Sequence, residues 1–139
     1  MNTDSLPPEL QRAIEAAHNK KAAGVTLLDL RGLAAFTGWF FICTAFSSPQ
    51  VAAIAEEIEA QLERLGLRLQ HREGRDGAEW VLLDYGGFIV HIFTERARLF
   101  YDLERLWRSA KKTVIPDPES ASFSPPGGRN STRSAEEAS

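Results

Sequence analysis

A single α/β domain around a mixed β-sheet with flanking helices is the fold class this sequence predicts, on three observations. Residues Trp80–Phe93 read as a β-hairpin, two apolar runs separated by Gly86-Gly87. Residues 51–65 repeat apolar side chains at helical spacing, shortly after a continuous apolar run, Trp39–Thr44. The chain has 139 residues, 43% of them hydrophobic, enough for one ordinary core.

Taken in order, Ser5 followed by Leu6-Pro7-Pro8 marks a helix start, since proline is tolerated in a first turn. Leu10, Ala13, Ile14 and Ala17 fall on one stripe, and Gly24 is the expected stop. Val25–Leu30 follows as a strand and Arg31-Gly32 as a turn. Trp39–Thr44 is aromatic-rich and of strand length, which predicts a central strand with Trp39, Phe40 and Phe41 in the core. Ser47-Ser48-Pro49 then opens the second helix, with Ser48 as N-cap. Val51, Ile54, Ala55, Ile58, Leu62 and Leu65 form its apolar stripe, Glu56, Glu57, Glu59 and Glu63 its solvated face, and Gly66 its end. Leu67–Arg72 is predicted as a strand leading through a Gly/Asp-rich turn into the hairpin. Thr94 caps a short helix, and Leu99, Phe100, Leu103, Leu106 and Trp107 supply apolar contacts from two short helical pieces. Beyond Val114, proline, glycine and serine dominate with almost no apolar support, so the tail is expected to be disordered.

The hairpin turn predicts its own register. Tyr85 opposes Phe88, Leu83 opposes Val90 and Val81 opposes Ile92, so one face is wholly apolar. The other face holds Trp80, Leu82, Asp84, Ile89, His91 and Phe93, aromatic yet carrying a carboxylate and an imidazole. That mixture suits the centre of a protein–protein contact, with Trp80 as anchor. The alternative is a second cover of helices with the polar pair at a rim. His91, diagonal to Asp84, could form an Asp–His pair. Tyr101, Leu103 and Trp107 either border this face or pack against the sheet.

Composition narrows the function classes. The net charge is −3, and residues 29–107 hold twelve acids against eight bases, a local balance of −4. Such a domain is poorly suited to gripping a phosphate backbone and better suited to a basic protein partner. Cys43 is the one cysteine, which leaves neither a disulfide framework nor a thiolate cluster, and its apolar neighbours predict packing. No apolar run approaches a membrane span, and acidic residues near the N-terminus argue against targeting signals, so a cytoplasmic protein is expected. His18, His71 and His91 lack metal-site spacing, and no phosphate-binding glycine loop is present, so no cofactor is expected. Ser47-Ser48 stands where nucleotidyltransferases place a Gly-Ser pair, but those enzymes need close carboxylates for Mg²⁺. Asp84 is alone on its strand, with Glu79 on the opposite face. An enzyme is therefore the weaker reading; its form would be a nucleotide-binding or residual transferase protein using Ser47, Ser48 and Asp84.

Five segments, Trp39–Thr44, Ser47-Ser48, Val51–Leu65, Trp80–Phe93 and the Tyr-Asp-Leu-Glu-Arg-Leu-Trp run Tyr101–Trp107, resemble the ribosomal silencing factors, also called the Iojap family. The resemblance covers residues 8–112, leaving 1–7 as an extension and 113–139 as the tail. It implies a nucleotidyltransferase-like fold without the catalytic residues. It also implies binding to the large ribosomal subunit through ribosomal protein fourteen, with little direct nucleic-acid contact and no membrane. That binding would block the small subunit sterically and lower translation when nutrients are scarce. Members are linked to subunit assembly and often form homodimers, so a second copy of this chain is a further expected partner. The partner-binding residues that follow are Trp80, Leu82, Asp84, Ile89, His91, Phe93, Tyr101 and Leu103. Gly38 and Gly87 stand where the family usually has acidic residues, and Ala45-Phe46 replaces a small Gly-containing pair.

Overall fold

Residues 6–75 and 77–118 are described by a computed structural model. Along the chain they form α1 (Pro8–Asn19), β1 (Ala23–Asp29), β2 (Trp39–Ala45), α2 (Ser48–Arg64), β3 (His71–Glu73), β4 (Trp80–Asp84), β5 (Phe88–Thr94), α3 (Glu95–Tyr101), α4 (Leu103–Leu106) and β6 (Lys111–Val114). The strands make one six-stranded sheet in the order β3-β4-β5-β2-β1-β6, with β2 and β5 parallel and the other neighbours antiparallel. Central placement explains why β2 is apolar but for Thr44: all seven residues are buried, because both faces of the sheet are covered at that point.

The hairpin has the predicted register, with Leu83 opposite Val90 and Val81 opposite Ile92. Its turn uses only Gly86 at positive φ (87°), where an added Cβ would meet the Gln70 amide at 2.6 Å. The all-apolar face packs under α1 and α2, whose stripes (Leu10, Ala13 and Ala17; Val51, Ile54, Ala55, Ile58 and Leu62) complete the larger core with Phe41, Cys43, Leu83 and Val90. Leu65, expected on that stripe, is exposed past the end of α2.

Several local expectations are corrected. α1 ends at Asn19, Lys21 (φ 65°) makes the reversal, and Gly24 lies inside β1 at a bulge rather than ending the helix. The N-cap of α2 is Ser47, one residue earlier than predicted, its hydroxyl accepting from the Gln50 N–H at 3.2 Å. The strand expected over Leu67–Arg72 shrinks to β3, and Leu67 and Leu69 instead tuck against the large core. The expected tail from residue 113 also begins too early. β6 pairs with β1, Ile115 is buried, and the Asp117 carboxylate accepts the Gly24 N–H at 3.0 Å. An edge strand of Lys-Lys-Thr-Val offers little periodicity to read, and its paired residues lie 82 to 88 positions earlier. Ser5 and residues 119–139 lie outside the described residues.

Candidate docking surface

Thr94 ends β5 and caps α3, accepting the Ala97 N–H at 3.3 Å, so the chain doubles back over the sheet. The second hairpin face is therefore largely covered by this chain itself. Ile89, His91 and Phe93 are only 7%, 3% and 1% exposed, in a small second core with Leu28, Phe40, Ile42, Ala97 and Ala110. These three, expected to meet a partner directly, instead support the surface from beneath. Trp80, Leu82 and Leu103 are half-buried at the margin of that core, and Tyr101 is exposed.

The polar groups on this face have internal roles. Trp80 Nε1 donates to His91 Nδ1 at 3.1 Å. An indole can only donate, so the ring proton of neutral His91 sits on Nε2, which is buried without a hydrogen-bond partner. Desolvation pulls the imidazole pKa down to about 3 and keeps it neutral. No Asp84–His91 pair forms. Asp84 Oδ1 takes the Gly86 N–H at 2.8 Å and closes the turn instead.

What does reach the surface is a ridge on α3 and α4. Leu99, Phe100 and Leu106 are 81%, 78% and 73% exposed, and Phe36 and Tyr101 are exposed as well. Aromatic rings link the ridge through the second core. Phe100 meets Tyr101 at 5.0 Å between centroids, Tyr101 meets Trp80 at 4.5 Å, and Trp80 meets His91 at 5.8 Å. From there Phe40 (4.4 Å from His91), Trp107 (5.9 Å from Phe40) and Phe36 (6.0 Å from Trp107) continue the line. Its two ends are open and its middle is sealed. Leu99, Phe100 and Leu106 were expected to pack inward. One signal against that was available: Leu99-Phe100-Tyr101 are consecutive on a helix, and at about 100° per residue they cannot all face one sheet. Exposed apolar side chains concentrated on two short consecutive helices make this segment the candidate interaction surface.

A transferase-like site does not assemble. Ser47 caps α2 beyond the C-terminal end of β2, whereas Asp84 pairs with Ile89, which pairs with Phe40 at the other end. Seven residues of extended chain, roughly 20 Å, separate the two. Cys43 is fully buried, and burial raises its thiol pKa to about 12, far from nucleophilic. Among the described residues no group of three His, Cys, Asp or Glu side chains could hold a metal ion, and no helix is long and apolar enough to cross a membrane.

Comparison with known proteins decides the family. The family described as "Ribosomal silencing factor during starvation" matches residues 3–139. The chain belongs to the ribosomal silencing factor family. The protein named ribosomal silencing factor RsfS from Bacillus subtilis is 39% identical over 110 residues, covering 79% of this chain and 91% of that protein. Its namesake from Halalkalibacterium halodurans is 39% identical over 101 residues, covering 73% and 86%. A crystal structure from Chromobacterium violaceum superposes with a TM-score of 0.71 at 28% identity, covering 86% of this chain and 98% of that one. The relatives' names describe translation regulators, not enzymes.

Proposed function

We propose that this silencing factor lowers translation in the cytoplasm by docking its α3–α4 ridge on ribosomal protein fourteen of the large subunit. Its bulk there blocks the small subunit sterically, mainly under nutrient limitation, with a further part in large-subunit assembly. The observation that carries this reading is the exposed ridge of Leu99, Phe100, Tyr101 and Leu106 on a chain of this family. Trp80, Leu82, Asp84 and Leu103 flank the contact, and Ile89, His91 and Phe93 hold its base rigid. The excess of four acids over residues 29–107 favours a basic partner and a fast encounter with it.

Co-sedimentation with purified large subunits, with and without added small subunits, tests the proposal. Wild-type chain is expected to pellet with large subunits and to reduce joined ribosomes, while Leu106→Asp does neither. Joining that proceeds unaffected by saturating wild-type chain would end the steric reading. The same apolar ridge also suits a second copy of this chain, in which case dimer and ribosome complex exclude one another. Sedimentation velocity with added ribosomal protein fourteen reads that competition directly, and a dimer that persists in the complex would exclude a shared surface.

A further inference from the structure

The ridge stands on weak local structure. α3 has seven residues and α4 four, too short to hold a helical form unaided. Between them Asp102 sits in the left-handed region (φ 48°), so the two pieces meet at a bend. Side-chain contacts, rather than helical backbone bonds, must set their angle.

Arg98 does so with every donor it owns. Its Nη1 donates to the Gly24 carbonyl at 2.6 Å and to Thr44 Oγ1 at 2.9 Å, which ties α3 to β1 and β2. Its Nη2 donates to Thr26 Oγ1 at 3.0 Å and to Glu104 Oε2 at 2.9 Å, and Nε donates to Glu104 Oε1 at 3.3 Å. Those are the five N–H groups of a guanidinium, all used in a fixed fork. Glu104 lies on α4, across the bend and two residues before Leu106, with Lys112 of β6 at 3.7 Å from its carboxylate. Gly24 completes the fit, since a Cβ there would stand 2.9 Å from Nη1. The glycine at the β1 bulge thus serves both its positive φ (60°) and the approach of the guanidinium.

We propose that Arg98 is the positioning residue of the docking ridge: it locks α3 against α4 and both against the sheet, so that Leu99, Phe100, Tyr101 and Leu106 are held in one orientation before a partner arrives. This rests on the reading of that ridge as the docking surface. Preorganisation of this kind raises affinity without the residue touching the partner. Lysine cannot replace it, having three donors on a point charge and no fork to span Glu104 and three acceptors on the sheet.

The test measures large-subunit affinity and amide hydrogen exchange in Arg98→Met, Arg98→Lys, Glu104→Gln and the Arg98→Met/Glu104→Gln pair. Expected are a loss in affinity of about tenfold for both Arg98 variants, faster exchange confined to 97–107, and unchanged protection in β2 and β5. Glu104→Gln should lose less, and the pair no more than Arg98→Met alone, because one clamp is broken once. Thr26→Val/Thr44→Val, which removes two of the acceptors on the sheet and leaves the guanidinium itself intact, should reproduce the pattern and serves if Arg98→Met does not fold. Affinity within twofold of wild type, or exchange that rises evenly across the sheet, overturns the assignment. Should wild-type chain itself fail to bind large subunits, the docking reading falls, while exchange at 97–107 still decides whether Arg98 is the clamp.

Discussion

The two faces of the sheet differ in what covers them. On one, α1 and α2 lay long apolar stripes over Phe41, Leu83, Val90 and Ile92. On the other, short α3 and α4 cover Phe93 and Ile89 but carry Leu99, Phe100 and Leu106 outward, above a layer that includes a hydrogen-bonded Trp–His pair and a half-buried arginine fork. Seventeen residues of α2 can bury a full stripe, whereas α3 and α4 cannot turn all their apolar groups inward. The first face is where stability is stored, and the second is where a partner can still gain by covering apolar surface.

Substitutions should separate the two. Leu62→Ala, in the large core, is expected to cost about 3 kcal/mol in urea unfolding and to leave ribosome affinity per folded molecule unchanged. Leu106→Asp should do the reverse, costing about 2 kcal/mol of binding, roughly thirtyfold, with an unfolding midpoint near wild type. If both properties fall together in either variant, the division between faces fails.

Acid should sharpen the contrast, because the second face carries the buried imidazole. The folded His91 pKa, lowered by burial, lies near 3 against 6.5 for a free side chain. Below about pH 6.5 the unfolded chain takes up a proton that the folded chain refuses. Stability should therefore be full above that pH and fall by about 1.4 kcal/mol per unit until the folded pKa is reached. His18, lowered by desolvation with Asp117 acting against it, adds in the same direction. His91→Gln keeps an acceptor for Trp80 and does not titrate, so its stability should fall less steeply between pH 6 and 4. An identical slope would mean that His91 is not the group refusing the proton.

The smallest effect is expected at the hairpin tip. Gly38 and Gly87, the two departures from the family's acidic positions, are neighbours, the Gly38 N–H donating to the Gly87 carbonyl at 3.0 Å. Nothing lies within 4 Å of a Cβ at Gly87, whereas one at Gly38 would stand 3.2 Å from that carbonyl. Gly87→Asp should thus change stability by less than about 0.5 kcal/mol and tighten large-subunit binding by about threefold at low salt. Weaker binding would show that the added carboxylate faces acid rather than a basic partner.

Local pattern was enough to read β2, the stripe of α2, the hairpin register and the Thr94 cap, since each depends on periodicity or on a turn that sets its own pairing. It was not enough for β6, whose pairing with β1 is long-range, nor for Gly24, which combines a positive φ at the bulge with the close approach of an arginine seventy-four residues later. The same limit hid the proposed docking surface. Sequence by itself determined that the hairpin has an oily face and an aromatic one, because alternation along a strand is a property of the backbone. Which aromatic groups stay open was decided only by tertiary structure, because a cap at Thr94 and a fork at Arg98 swing α3 and α4 across Ile89, His91 and Phe93 and lift Leu99, Phe100 and Leu106 into water.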